Sequence, residues 1–92
     1  MNKIFLALSM LVLASCATKV SNDEIIGSDQ ELFTQGMEQM HAKKYDKAVN
    51  LFEELERQHP YSDYAKKGAV MIIFAQYKNE DYDESISSAN RF

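Results

Sequence analysis

One short segment of the chain occurs twice, and this repeat limits the fold more than any other feature. Residues 43–49 read KKYDKAV and residues 79–86 read NEDYDESI, and four pairs of residues match at an offset of 37 positions. The matched pairs are Tyr45 and Tyr82, Asp46 and Asp83, Ala48 and Ser85, and Val49 and Ile86. A fixed period of roughly 20–50 residues is typical of stacked supersecondary units. We therefore expect two copies of one helix pair.

The first copy also carries the spacing of small and bulky residues that is typical of tetratricopeptide (TPR) repeats. Leu32, Gly36, Ala48, Phe52 and Pro60 follow one another in the register of that pattern. The small residues lie where two helices must approach closely. The second copy matches less well, and its offset of 37 exceeds the roughly 34 residues of a standard repeat. The sequence predicts an all-α, TPR-like solenoid of about two antiparallel helix pairs, with a generic four-helix arrangement as the alternative.

Capping residues place the first two helices. Ser28 and Glu31 fit a capping box, in which the two residues satisfy the free N–H groups at the start of a helix. Asp46 is the expected N-cap of the second helix. Pro60 ends that helix, because proline disfavours the helical conformation of the residue before it. Only a few residues separate the two helices, so we expect them to be antiparallel neighbours.

Two further helices follow. Ser62 or Asp63 is expected to cap a third helix, which continues to about Lys78. Its centre is more apolar than the first helix, so we expect it to be packed between neighbours. A fourth helix is expected to begin near Asp83.

The N-terminus has the layout of an exported lipoprotein. A positively charged start is followed by the apolar residues 4–14, a stretch typical of signal peptides and shorter than the roughly 20 residues of a transmembrane helix. Residues 13–16 (LASC) resemble a lipobox, and Cys16 is the only cysteine. An ordinary signal peptide with an unrelated cysteine is the alternative. We predict a signal peptide over residues 1–15, a palmitate-bearing Cys16 that begins a tether over 16–27, and TPR-like repeats over 28–92, the second truncated.

Lipidation and charge limit the partners. Stable anchoring takes two or more acyl chains, so an acylated Cys16 would hold the protein on a membrane. Ala17 follows the cysteine, which by resemblance to the usual lipoprotein sorting rule favours the periplasmic face of the outer membrane. The chain has 10 Lys and Arg against 14 Asp and Glu, a net charge of −4. An acidic chain without a basic run predicts no nucleic-acid partner.

Two apolar stripes are candidate binding surfaces. A TPR solenoid exposes the first helix of each pair on its concave face, and the apolar residues there could contact an extended or unfolded peptide, with methionine as an adaptable contact. The candidates are Phe33, Met37 and Met40 from the first copy, and Val70, Phe74 and Tyr77 from the second. The alternative is that these residues only pack between helices.

Motifs for catalysis, metal binding or cofactors are absent from the sequence. His41 and His59 are isolated, and neither belongs to a Cys/His cluster or an H-E-x-x-H motif. No G-x-S-x-G, phosphate loop or G-x-G-x-x-G occurs. The sequence therefore predicts no enzyme activity, no metal and no cofactor.

Taken together, the lipobox and residues 32–52 (LFTQGMEQMHAKKYDKAVNLF) and 52–86 (FEELERQHPYSDYAKKGAVMIIFAQYKNEDYDESI) resemble the opening of the BamD family, also called ComL or YfiO. The resemblance implies a non-enzymatic lipoprotein scaffold of the β-barrel assembly (BAM) complex, which inserts outer-membrane proteins. It implies contacts with BamA and the other BAM lipoproteins, and N-terminal repeats that receive unfolded outer-membrane protein clients. Because that family has five TPR units, the resemblance also implies that this chain is a fragment.

Two other functions remain open at this stage. The chain could be another periplasmic TPR adaptor lipoprotein, serving the envelope or cell division, or the N-terminal part of an enzyme with a downstream catalytic domain. Sequence beyond residue 92 would separate the three alternatives.

Overall fold

The computed structural model describes residues 25–92, which form four α-helices. The helices are α1 (Asp29–His41), α2 (Tyr45–Gln58), α3 (Asp63–Lys78) and α4 (Tyr82–Arg91). The predicted signal peptide, Cys16 and most of the predicted tether lie outside the described residues. The all-α, TPR-like fold predicted from the sequence is confirmed.

Each helix packs against the next, and α3 is the central one. It contacts α2 most extensively, then α4, and also α1. Segments of three or four residues join the successive helices, so consecutive helices are antiparallel. The prediction that α3 lies between neighbours is confirmed, and its apolar centre follows from this position because it buries surface on more than one side.

Serine side chains begin two of the helices, as predicted. Ser28 Oγ accepts a hydrogen bond from Glu31 N at 3.1 Å, and Ser62 Oγ accepts one from Tyr64 N at 3.0 Å. The prediction for the start of α2 is wrong. Lys44 is the N-cap there and makes no side-chain capping bond, while Asp46 lies in the first turn. Its Oδ1 instead accepts a hydrogen bond from Asn79 Nδ2 at 2.9 Å.

The turn that precedes α2 explains this difference, and the same turn recurs before α4. Lys44 N donates to Gln39 O at 2.9 Å, and Asp81 N donates to Gln76 O at 2.8 Å. Lys43 and Glu80, which are 37 positions apart, both have left-handed backbones, with φ of 60° and 64°. These are the bonds and the conformation of a Schellman motif. The motif closes the preceding helix and brings the chain directly into the next one, which leaves no N-cap position for the aspartate.

The core lies where α1, α2 and α3 meet. Its largest fully buried side chains are Phe52, Leu32, Leu55 and Ile72. The two helical glycines face this cluster, Gly36 against the Phe52 ring and Gly68 against Leu55. The predicted close approach of helices at Gly36 and at the fully buried Ala48 is confirmed.

Helix α4 docks on α3 through hydroxyl groups. Ser85 and Ser88 are its buried residues. Ser85 Oγ donates to Ile73 O at 2.9 Å, and Ser88 Oγ lies 2.6 Å from Gln76 Oε1. These hydrogen bonds fix the register of α4, whose larger apolar side chains, Tyr82 and Ile86, remain more than half exposed.

Candidate peptide-binding face

The six predicted binding residues form three pairs at equivalent positions of the two repeats. Each predicted residue of α1 has its counterpart in α3 one repeat later along the chain, at the offset of 37. The pairs are Phe33 and Val70, Met37 and Phe74, and Met40 and Tyr77. The structure therefore allows a direct comparison of the same positions in two different surroundings.

In α1 these positions are mostly packed. The Phe33 ring lies 5.8 Å from the Phe52 ring and 5.4 Å from the Tyr64 ring, measured between centroids. Met37 is half-buried against the core, and Met40 is only 8% exposed. Most of this stripe contributes to packing between helices, which leaves only part of the Phe33 and Met37 surface open to a peptide.

In α3 the equivalent positions are exposed. Val70 and Phe74 are each 46% exposed, and Tyr77 is 58% exposed. These three residues, here called the α3 face, lie at positions i, i+4 and i+7 and so share one side of the helix. The difference from α1 has a simple cause. Tyr64 of α3 covers Phe33, whereas no helix within residues 25–92 covers Val70 in the same way.

The α3 face has an amphipathic border. Lys78 Nζ lies 5.5 Å from the centroid of the Phe74 ring, within the range of a cation–π contact. The Tyr77 ring meets Tyr82 of α4 edge-on, with centroids 5.6 Å apart. Exposed aromatic and aliphatic side chains with a few polar groups at the rim are suited to an extended apolar peptide.

Sequence reasoning missed other exposed apolar residues. Ile86 of α4 and Phe92, the C-cap of that helix, are 61% and 70% exposed, and they are the repeat equivalents of Val49 and Leu55. The offset of 37 could have identified this second surface. Ile26 and Tyr61 are also exposed, but they belong to neither helical stripe, and no periodicity in the sequence points to them.

The polar groups next to the start of α1 hold the chain in place. Gln58 Nε2 donates to Ile25 O, His59 Nε2 lies 2.8 Å from Gly27 O, and Ser62 Oγ donates to Asp29 Oδ2 at 2.6 Å. The hydrogen bond from Ser62, followed by that from the backbone of residue 30, lowers the pKa of the Asp29 carboxyl below its ordinary value.

This cluster contains a serine, a histidine and an aspartate, but not in a nucleophilic arrangement. Ser62 donates to the carboxylate itself, whereas a catalytic serine would donate to the imidazole. His59 is directed at a backbone carbonyl instead. Together with Gln58, the Ser62 and His59 side chains hold residues 25–29 in place through these hydrogen bonds.

The described part of the chain offers neither a metal site nor a membrane-spanning helix. Residues 25–92 contain no group of three or more His, Cys, Asp or Glu arranged to hold a metal ion. None of the four described helices combines the length and the hydropathy that a membrane span requires.

Comparison with known proteins places the chain in one family. The family model described as "Outer membrane lipoprotein" (YfiO) matches residues 26–92. Curated proteins named outer membrane protein assembly factor BamD are similar over most or all of the chain. The protein of Neisseria meningitidis serogroup B is 32% identical over 98 aligned positions, covering 100% of this chain and 37% of its own length.

Similar proteins from other bacteria carry the same name. The BamD protein of Caulobacter vibrioides is 31% identical over 83 positions, covering 87% of this chain and 27% of its own length. That of Pasteurella multocida is 27% identical and covers 96% of this chain and 33% of its own length. The chain thus spans about a third of the length of these relatives. They are named as assembly factors and not as enzymes, in agreement with the sequence prediction. No solved structure gave a significant match.

Proposed function

The chain belongs to the YfiO family of outer membrane lipoproteins, and on that premise we propose that it serves the assembly of outer-membrane proteins as a non-enzymatic scaffold. The match across residues 26–92, together with the apolar α3 face, carries this proposal. The related proteins that bear the name of an outer membrane protein assembly factor support it. Partners in the complex, BamA and the other BAM lipoproteins, are part of the same proposal.

We place the protein at the periplasmic face of the outer membrane, held by acyl groups on Cys16. The lipobox at residues 13–16 supports this anchor. The division into a signal peptide (1–15), a tether (16–27) and repeats (28–92) belongs to the same proposal. Changing Cys16→Ser tests the anchor. The variant should keep its signal peptide, lose the mass of the acyl groups and leave the outer-membrane fraction, whereas retention there with an unmodified mass would contradict it.

Within this scaffold the α3 face is the proposed contact for client peptides. Val70, Phe74 and Tyr77 together present aliphatic and aromatic surface along almost two turns of one helix. A client that has not yet folded into a β-barrel exposes apolar side chains in an extended chain, and such a segment gains free energy by burying them against this surface. The exposed parts of Phe33 and Met37 are predicted to extend the contact.

Peptide binding can be measured directly on the acylated chain in nanodiscs. The probe is a fluorescently labelled peptide from the last strand of an outer-membrane β-barrel protein. Phe74→Ala should weaken binding about tenfold, the effect of removing one central aromatic contact. Ile86→Ala is a matched control, because Ile86 is also apolar and exposed, to 61% against 46% for Phe74, but lies on α4.

Equal affinities of the Phe74→Ala and Ile86→Ala variants would remove the α3 face from the proposal. In that case photo-crosslinking from positions 70, 77, 86 and 92 would show which surface the peptide contacts. Crosslinks from 86 and 92 alone would assign the client site to α4.

A further inference from the structure

The end of the molecule at which the chain enters α1 carries two exposed apolar side chains. Ile26 is 75% exposed, and Tyr61, in the segment between α2 and α3, is 95% exposed. Neither belongs to the α3 face. Tyr61 is the most exposed of the large apolar residues in the described part of the chain. A single exposed apolar side chain is common on protein surfaces, so what matters here is the position that these two residues share.

Hydrogen bonds bring these two residues to the same end. Gln58 and His59 bind the carbonyl oxygens of Ile25 and Gly27, on either side of Ile26. Ser62, which follows Tyr61, binds Asp29 at 2.6 Å. Residues 25–29 therefore lie along the segment 58–62, and the backbone positions of Ile26 and Tyr61 are fixed relative to each other. We call these two side chains the anchor-side pair.

The anchor-side pair is close to the membrane if Cys16 is acylated, and this inference rests on that part of the proposed function. Nine residue steps separate Cys16 from Ile25, which span at most about 30 Å when fully extended. An acylated Cys16 would therefore keep this end of the domain within about 30 Å of the bilayer surface. A tether of this length gives a weak contact a high effective concentration.

The chemistry of the pair fits a lipid interface. Tyrosine is enriched at membrane–water interfaces, because its ring is apolar and its hydroxyl is polar, and isoleucine adds aliphatic surface. Nearby charges have both signs, with Asp29 and Asp63 against Lys66 and Lys67. The Asp29 carboxylate, whose pKa lies below its ordinary value, is charged at neutral pH, and a charged carboxylate resists transfer into hydrocarbon.

We propose that the anchor-side pair rests in the headgroup region of the membrane that holds the acylated cysteine, and so sets the end of the repeats that faces the lipid. The contact is shallow, because the carboxylates beside it stay in water. It depends on apolar surface rather than on net charge, so anionic lipid does not strengthen it.

The absence of tryptophan from the chain provides a direct test. Tyr61→Trp is compared with Tyr82→Trp, in which the substituted residue is exposed but lies at the opposite end, where α4 begins. The acylated full-length variants are reconstituted into phosphatidylethanolamine–phosphatidylcholine vesicles with and without brominated acyl chains. Circular dichroism confirms that both variants are folded.

The proposal predicts that bromine quenches the indole at position 61 by about half and shifts its emission to the blue, while the indole at position 82 is unchanged. Equal quenching at the two positions, or none at position 61 in chains that sediment with the vesicles, would overturn the inference and leave the proposed assembly function intact. A blue shift that requires other envelope proteins and occurs without bromine quenching would also overturn it, in favour of a protein partner.

The same experiment would show separately whether the proposed acylation of Cys16 is wrong. Chains that lack acyl mass and do not sediment with vesicles would contradict the lipidation of Cys16 and, with it, the membrane contact. Replacing a third of the lipid with phosphatidylglycerol gives a further check. Quenching at position 61 should stay the same, and a several-fold rise would mean that charge, not apolar surface, makes the contact.

Discussion

Gly36 of α1 lies against the ring of Phe52 of α2 so closely that a Cβ at position 36 would stand 2.7 Å from Phe52 Cζ and 2.8 Å from Cδ1. Phe52 is fully buried, so its ring has little room to move. The helix pair of the first repeat therefore depends on the missing side chain at position 36, and not on any special backbone angle there.

Gly36→Ala should lower the free energy of unfolding by about 1–3 kcal/mol, the usual cost of overpacking a buried contact. Thermal or urea unfolding measures it. Gly27→Ala is the control, because a Cβ there would meet nothing closer than 3.4 Å, and its effect should stay within about 0.5 kcal/mol. Combining Gly36→Ala with Phe52→Leu should cost less than the sum of the two changes, since the smaller side chain makes room. Strict additivity would show that the two residues are not coupled.

The two Schellman turns predict stabilising substitutions. Lys43 and Glu80 have left-handed backbones, a conformation that disfavours residues with a Cβ by about 1–2 kcal/mol and favours glycine. Lys43→Gly and Glu80→Gly should each raise the free energy of unfolding by about 1 kcal/mol. Glu53→Gly, in the middle of α2 and exposed, should instead lower it by about 1 kcal/mol. A loss of stability in all three variants would contradict the assigned turn geometry.

The bond between Ser62 and Asp29 predicts a dependence of stability on pH. The pKa of Asp29 is lowered in the folded chain, chiefly by the hydrogen bond from Ser62. Its contribution is therefore present above the ordinary aspartate value of about 4 and is lost as the pH falls through the lowered pKa. Urea unfolding between pH 2 and 7 should show a shallower acid loss for Asp29→Asn than for the unchanged chain. Identical slopes would mean that Asp29 is not hydrogen-bonded in solution.

The two repeats predict different responses at equivalent positions. Phe33→Ala should destabilise the fold by about 1–3 kcal/mol, because the ring packs against Phe52 and Tyr64 but is only partly buried, and so costs less than the roughly 3–5 kcal/mol of a fully buried ring. Val70→Ala should change stability by less than about 0.5 kcal/mol, since Val70 is 46% exposed. Denaturant unfolding with a constant m-value is the measurement. Similar losses at both positions would indicate that the α3 face is covered in solution.

Local signals in the sequence were sufficient to predict the four helices and the fold class. The caps at Ser28 and Ser62 and the stop at Pro60 act within one turn of the chain, so their effect can be read from neighbouring residues. The start of α2 could not be read in this way. Asp46 has the side chain of an N-cap, but the turn formed at Lys43 determines where the helix begins.

The two predicted binding stripes show how far periodicity alone can predict a functional surface. Periodicity identified equivalent helix faces in the two repeats, but it could not tell exposed positions from packed ones. Met40 is buried and Tyr77 is exposed, although they hold the same place in their repeats. Whether such a side chain is exposed depends on which helix packs against it, and the tertiary structure decides that. Tyr61 was missed altogether, because a single residue in a turn has no period.

The hydrogen bonds between residues 25–29 and the segment 58–62 also decide how the domain bears a mechanical load. A pull that arrives from the N-terminal side reaches Ile25 and Gly27, which are bonded to Gln58 and His59, before it reaches the first turn of α1. The force is thus divided between the two helix pairs at their junction. If Cys16 is acylated as proposed, a pull on this anchor does not unravel the domain from its first helix alone.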